Sequence, residues 1–173
     1  MPVQSAILLL ITALCAFTDA RWGKVYNVVT YPAALLGIGL SFYVAPPAPV
    51  MSVLGLAAGL LFFGLLRKIS GMGAGDVKLM AALGALKGLP FLLYGTFYIL
   101  CAATVTALIL IAWQGRLVPV LKWVAQTLAS AVTPKLIRPN LDHNMTQMPF
   151  APAIFIGTAF TVYLESVHGF FTF

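Results

Sequence analysis

Acidic side chains are scarce in this sequence: four Asp and Glu stand against ten Lys and Arg, and charged residues make up only 8% of the 173. Soluble domains carry roughly 25% charged residues, so a soluble fold is excluded, and the 61% hydrophobic content places the chain in a bilayer. Cysteine is nearly absent too. Cys15 and Cys101 stand alone in apolar runs with no C-x-x-C spacing, which excludes a zinc ribbon or a disulfide framework and leaves core packing as their expected role. Long polar stretches are missing apart from one, so residues 1–173 are expected to form a single membrane domain. The net charge of +6 does not indicate nucleic acid, because the basic residues lie in ones and twos between apolar runs. The N-terminal "MPVQSAILLLITALCAF" lacks the basic residues that precede a signal peptide's apolar centre; Arg21 and Lys24 follow it instead. It is expected to be a first span with its N-terminus outside.

Six apolar segments run from about Val3 to Phe17, Val25 to Val44, Val50 to Leu66, Val77 to Gly88, Leu89 to Trp113 and Phe150 to Leu164. Chain in hydrocarbon must satisfy its own backbone polar groups, and the alternation of barrel strands is absent. The expectation is an all-α polytopic membrane protein with six transmembrane helices. The fourth segment is short and rich in Ala and Gly, with Lys78 and Lys87 near its ends, which suits a helix enclosed by its neighbours. Gly55 and Gly59, and Gly84 and Gly88, each make a G-x-x-x-G spacing that permits close helix approach. With the N-terminus outside, nine basic residues fall on the cytoplasmic side (Arg21, Lys24, Arg67, Lys68, Lys78, Arg116, Lys122, Lys135 and Arg138) and one, Lys87, on the outer side. That bias favours this orientation, with both termini outside. In the long link 114–148, Leu117, Leu121, Val124, Leu128 and Val132 recur at helical spacing with Trp123 as an anchor, which predicts an amphipathic helix on the cytoplasmic surface. A polar, proline-punctuated loop follows it.

With so few acids, each can be weighed alone. Glu165 is expected to be a solvated residue at the outer end of the last span. Asp142, beside His143, reads as part of a solvated turn; His168 falls on the opposite face, so the three are not expected to share a metal. Asp19 and Asp76 differ, because both fall at the cytoplasmic ends of spans: "CAFTDARWG" closes the first helix and "GAGDVKLM" opens the fourth. Two carboxylates at one site do not readily both ionise. One can then activate water while the other, protonated, hydrogen-bonds a scissile carbonyl. Other readings stay open. Asp76 could be only a helix N-cap, worth about 1 kcal/mol; Asp19 could pair with Arg21 or Lys24; and the glycines of "GMGAG" could form an ordinary turn or admit an extended substrate backbone.

"GAGD" at Gly73, Ala74, Gly75 and Asp76, continued by "VKLMAALGA", resembles the G-x-G-D signature of the type IV prepilin peptidase family. "DARWGKVYNVVT" is similar to that family's D-x-R-x-x-x-I-x-N-x-L-T pattern, with Asp19, Arg21, Asn27 and Thr30 in register and Val25 in the isoleucine position. "MPFAPAIFIG" resembles the Pro-x-x-Pro that opens its last helix, through Pro149 and Pro152. The resemblance implies that Asp19 and Asp76 are a catalytic pair removing short basic leaders from prepilin-like proteins at the cytoplasmic face of the bacterial inner membrane. It implies no cofactor or metal. Gly73, Gly75, Arg21, Lys24, Asn27, Lys78, Pro149 and Pro152 become candidates for binding substrate or supporting the site, with positive-inside anchoring the plainer role for Arg21, Lys24 and Lys78. Larger members carry a cytoplasmic domain with paired cysteines that methylates the new N-terminus. Nothing of that kind is present, so the chain looks like the short peptidases of tight-adherence (Flp-type) pilus systems, with archaeal preflagellin peptidases nearby. The expected partners are a membrane-inserted prepilin and the bilayer, not nucleic acid. The alternatives from other classes are a six-helix solute-transport subunit, whose acids would bind solute, and a non-catalytic component of a pilus-assembly machine.

Overall fold

A computed structural model describes residues 2–43, 48–70, 73–113, 115 and 150–168. All regular structure among them is helical: α1 (Pro2–Trp22), α2 (Asn27–Ser41), α3 (Ala48–Ser70), α4 (Ala74–Trp113) and α5 (Ala151–His168). The chain divides into one unit of residues 1–103 and 149–173 and a second of residues 104–148. In the second unit, α4 continues to Trp113; the amphipathic helix expected at 117–132, together with Asp142, His143 and Pro149, lies outside the described residues. Everything below concerns the first unit.

Three helices, α1, α3 and α4, have the length and hydropathy to cross a membrane, while α2 and α5 are apolar but shorter. This is a helical membrane protein. The fourth and fifth expected spans form one element, α4, whose helical geometry is interrupted at Gly88 (φ 82°, ψ 174°). That conformation is open to glycine alone. Pro90, two residues on, lacks the N–H that would bond to the Leu86 carbonyl, so the ladder is weakest at this point.

The first half of α4 is the centre of the unit. Leu79, Met80, Ala81, Ala82, Leu83, Ala85 and Leu86 are all buried, with Leu8 and Cys15 of α1, Phe63 of α3 and Ile154 of α5 in the same core. Small residues bring the neighbours close. A Cβ on Gly55 would strike the Gly84 carbonyl, one on Gly59 would meet Ala81 Cα at 2.6 Å, and one on Gly37 would meet the Ala85 carbonyl carbon at 2.6 Å. Both expected G-x-x-x-G spacings therefore pack α3 against α4 backbone to backbone, as close approach through small residues allows. Ser52 adds a hydrogen bond to the Ala85 carbonyl.

The helices α1 and α5 pack together, and each carries a buried stripe: Leu8, Thr12, Cys15 and Asp19 on one, Ile154, Thr158, Thr161 and Glu165 on the other. Both stripes follow the spacing of one helix face. The threonine hydroxyls donate to their own helix, Thr12 to Leu8 at 2.9 Å and Thr158 to Ile154 at 2.6 Å, so none is buried unsatisfied. Val28, Leu35, Leu61 and Leu93 lie on the outside, where lipid tails would meet them.

Two expectations are corrected here. Cys101 is exposed rather than packed in the core, whereas Cys15 is buried. Glu165 is not solvated: its carboxylate is gripped by Lys87 Nζ at 2.6 and 2.8 Å, both side chains being less than a tenth exposed. The ammonium also lies 5.4 Å from the Phe91 ring centroid. A buried charge needs such a partner, and the sequence hid it because 78 positions separate the two residues.

Candidate active site

Asp19 sits on the last turn of α1. The helix ends where Gly23 takes φ +62° and returns its N–H to the Asp19 carbonyl at 2.7 Å, a left-handed C-terminal cap that glycine favours. The Asp19 side chain is 8% exposed, and its Oδ2 accepts the backbone N–H of Ala151, the first residue of α5, at 3.0 Å. Arg21 lies instead over the Trp22 ring. Among the described residues, no Lys or Arg reaches salt-bridge distance of either Asp19 or Asp76.

Asp76 lies in the first turn of α4 and is 7% exposed. Gly73 caps that turn: its carbonyl accepts from Val77 N–H at 3.4 Å, and its own N–H reaches the Asp76 carboxylate, in the manner of a capping box. Asp76 Oδ1 is the one buried side-chain oxygen or nitrogen among the described residues with no hydrogen-bond partner. A partnerless buried carboxylate oxygen is costly, and such an atom calls for a functional account. The N-cap reading of Asp76 is corrected: α4 begins at Ala74, so Gly73 is the cap and Asp76 the third helical residue, and its Oδ1 is left unexplained.

The glycines have assignable roles. A Cβ on Gly73 would stand 2.9 Å from Asp76 Oδ2, and a Cβ on Gly75 would stand 2.6 Å from Val25 Cβ. Gly73 therefore makes room for the carboxylate. Gly75 lets the α1–α2 link lie against α4 at Val25.

Asp19 and Asp76 line one cavity of about 310 Å3, together with Gly23, Lys24, Val25, Tyr26, Asn27 and residues 73–75. Of the residues singled out in the sequence, Gly73, Gly75, Lys24 and Asn27 thus surround the two acids. Lys78 stands beside them, donating to Asn27 Oδ1 at 2.8 Å with its ammonium 5.1 Å from the Tyr31 ring centroid. It ties α2 to α4. Pro152 is half-buried at the second position of α5, where its missing N–H costs nothing. Arg21 is exposed and does not line the cavity. Sequence reading passed over the Ala151 N–H, which no side-chain type announces, and Tyr26 and Tyr31, which acquire their places only through the cavity and Lys78 that the fold brings to them. Among the described residues, no three His, Cys, Asp or Glu side chains converge as metal ligands.

Fold and cavity together define a helical membrane protein that holds two buried carboxylates, brought from different helices, at one opening. Residues 6–133, well over half of the chain, match the type IV leader peptidase family. The chain belongs to that family, and it is a peptidase. Both acids fall within the matched residues; α5 lies beyond them. No curated protein and no solved structure matches the chain.

Proposed function

We propose that this protein is an aspartic endopeptidase that removes the short basic leader from type IV, Flp-like prepilins at the cytoplasmic face of the bacterial inner membrane. The observation that carries the reading is the shared cavity of Asp19 and Asp76, both buried and neither neutralised by a cation among the described residues. The prepilin's apolar helix lies in the bilayer, and its scissile segment enters beside Gly73 and Lys24. One carboxylate accepts a proton from water as the water oxygen attacks the peptide carbonyl carbon. The other donates its proton to the carbonyl oxygen, and collapse of the tetrahedral intermediate breaks the C–N bond as the amine takes up a proton from the dyad. Six spans with both termini outside place this site at the cytoplasmic surface, in keeping with the nine basic residues assigned to that side.

Co-expression with a prepilin and mass spectrometry of the product tests this. Asp19→Asn and Asp76→Asn should each abolish leader removal while the protein still accumulates in the membrane. Unimpaired processing by either variant would overturn the two-carboxylate mechanism, and a solute-transport or scaffold role would then account better for the acids.

A further inference from the structure

The hydrogen bonds around the two acids distribute their four oxygens unevenly. Asp19 Oδ2 faces a fixed donor, the Ala151 N–H. Asp76 also receives a backbone N–H, from Gly73, and because its Oδ1 has no partner, that bond goes to Oδ2. An oxygen that faces an N–H cannot itself carry a proton aimed along the same line. Asp76 Oδ1 is buried without a partner, and both acids line the same cavity.

We infer that the N-terminus of α5 is part of the catalytic apparatus, with the Ala151 N–H as the positioning group that fixes the Asp19 carboxylate toward Asp76 in their shared cavity. This rests on the peptidase reading above and deepens it. Three features make the arrangement more than a chance contact. Ala151 is the first residue of an 18-residue helix, so its N–H has no acceptor within α5 and would be orphaned without Asp19. Ala151 is fully buried, so water does not substitute. And α1 and α5 pack against each other, with the buried Lys87–Glu165 pair tying the far end of α5 to α4. A rigid backbone donor of this kind, with no side-chain entropy to lose, suits preorganisation.

Proline at position 151 removes this one donor at the first helical position, where a helix tolerates it. Ala151→Gly keeps the N–H. With purified wild-type protein processing a prepilin in proteoliposomes, Ala151→Pro should lower kcat by about 100-fold, the scale of a misplaced catalytic group, and leave KM within about twofold; Ala151→Gly should stay within about threefold of wild type in both. Equal kcat for wild type and Ala151→Pro would overturn the inference and leave the peptidase reading standing. A wild-type protein that fails to cleave any prepilin would overturn both. Should Ala151→Pro fail to fold, amide exchange decides instead. In Asp19→Ala the Ala151 amide should exchange at least about tenfold faster than in wild type, since no other acceptor is available to it. Unchanged protection would overturn the assignment.

Discussion

Gly75 shows how a single missing Cβ ties two distant motifs together. The 2.6 Å that would separate a new Cβ from Val25 Cβ is shorter than packed atoms allow, so either the α1–α2 link or the first turn of α4 must move. A displacement near 1 Å at a catalytic group costs on the order of 100-fold in rate. Gly75→Ala should therefore cut leader removal by roughly 10- to 100-fold, and Val25→Gly in the same chain should restore part of it, as followed by product mass. Wild-type processing by Gly75→Ala would show that the contact is slack. The glycine and the acid were legible as a motif. That Gly75 serves Val25 was not, because a glycine in a sequence says only that a side chain is unwelcome, never which neighbour excludes it.

At the scale of helices, small residues and one ion pair hold the unit. Spacing alone marked the G-x-x-x-G pairs and the enclosed character of the fourth segment, and the structure places Gly55 against Gly84 and Gly59 against Ala81. The Lys87–Glu165 pair could not be read the same way, because each residue looked like an ordinary helix-end charge until α5 lay beside α4. Glu165→Gln leaves a buried ammonium without its counter-charge and should destabilise the protein by about 3–5 kcal/mol, whereas replacing both by Met and Leu should be close to neutral. Thermal melts in detergent read both. A single variant as stable as wild type would mean that water reaches the pair.

For the whole molecule, the proposed six-span arrangement asks α1, α2, α3 and α5 to cross once each and α4 to supply two crossings about its interruption at Gly88. α2 has 15 residues, about 22 Å at ~1.5 Å per residue, against a hydrocarbon core of about 30 Å. The six-span arrangement requires it to cross with its flanking residues completing the path. Single cysteines at Lys24 and Ala48, in a chain freed of Cys15 and Cys101, flank α2 and should react with a membrane-impermeant maleimide from opposite sides, Lys24→Cys from the cytoplasm. Labelling of both from one side would remove α2 from the count and reverse everything after it.

The sequence by itself determined the solvent of this protein, its helical class, and the two acids, because those follow from what each stretch of chain costs to place in hydrocarbon and from how few carboxylates there are to choose among. Only the tertiary structure decided that Asp19 and Asp76 line one cavity, that Lys87 neutralises Glu165, and that Ala151 N–H holds Asp19. The reason is physical: every residue but proline carries the same backbone N–H, and a donor acquires a role only when packing brings a particular acceptor within about 3 Å of it.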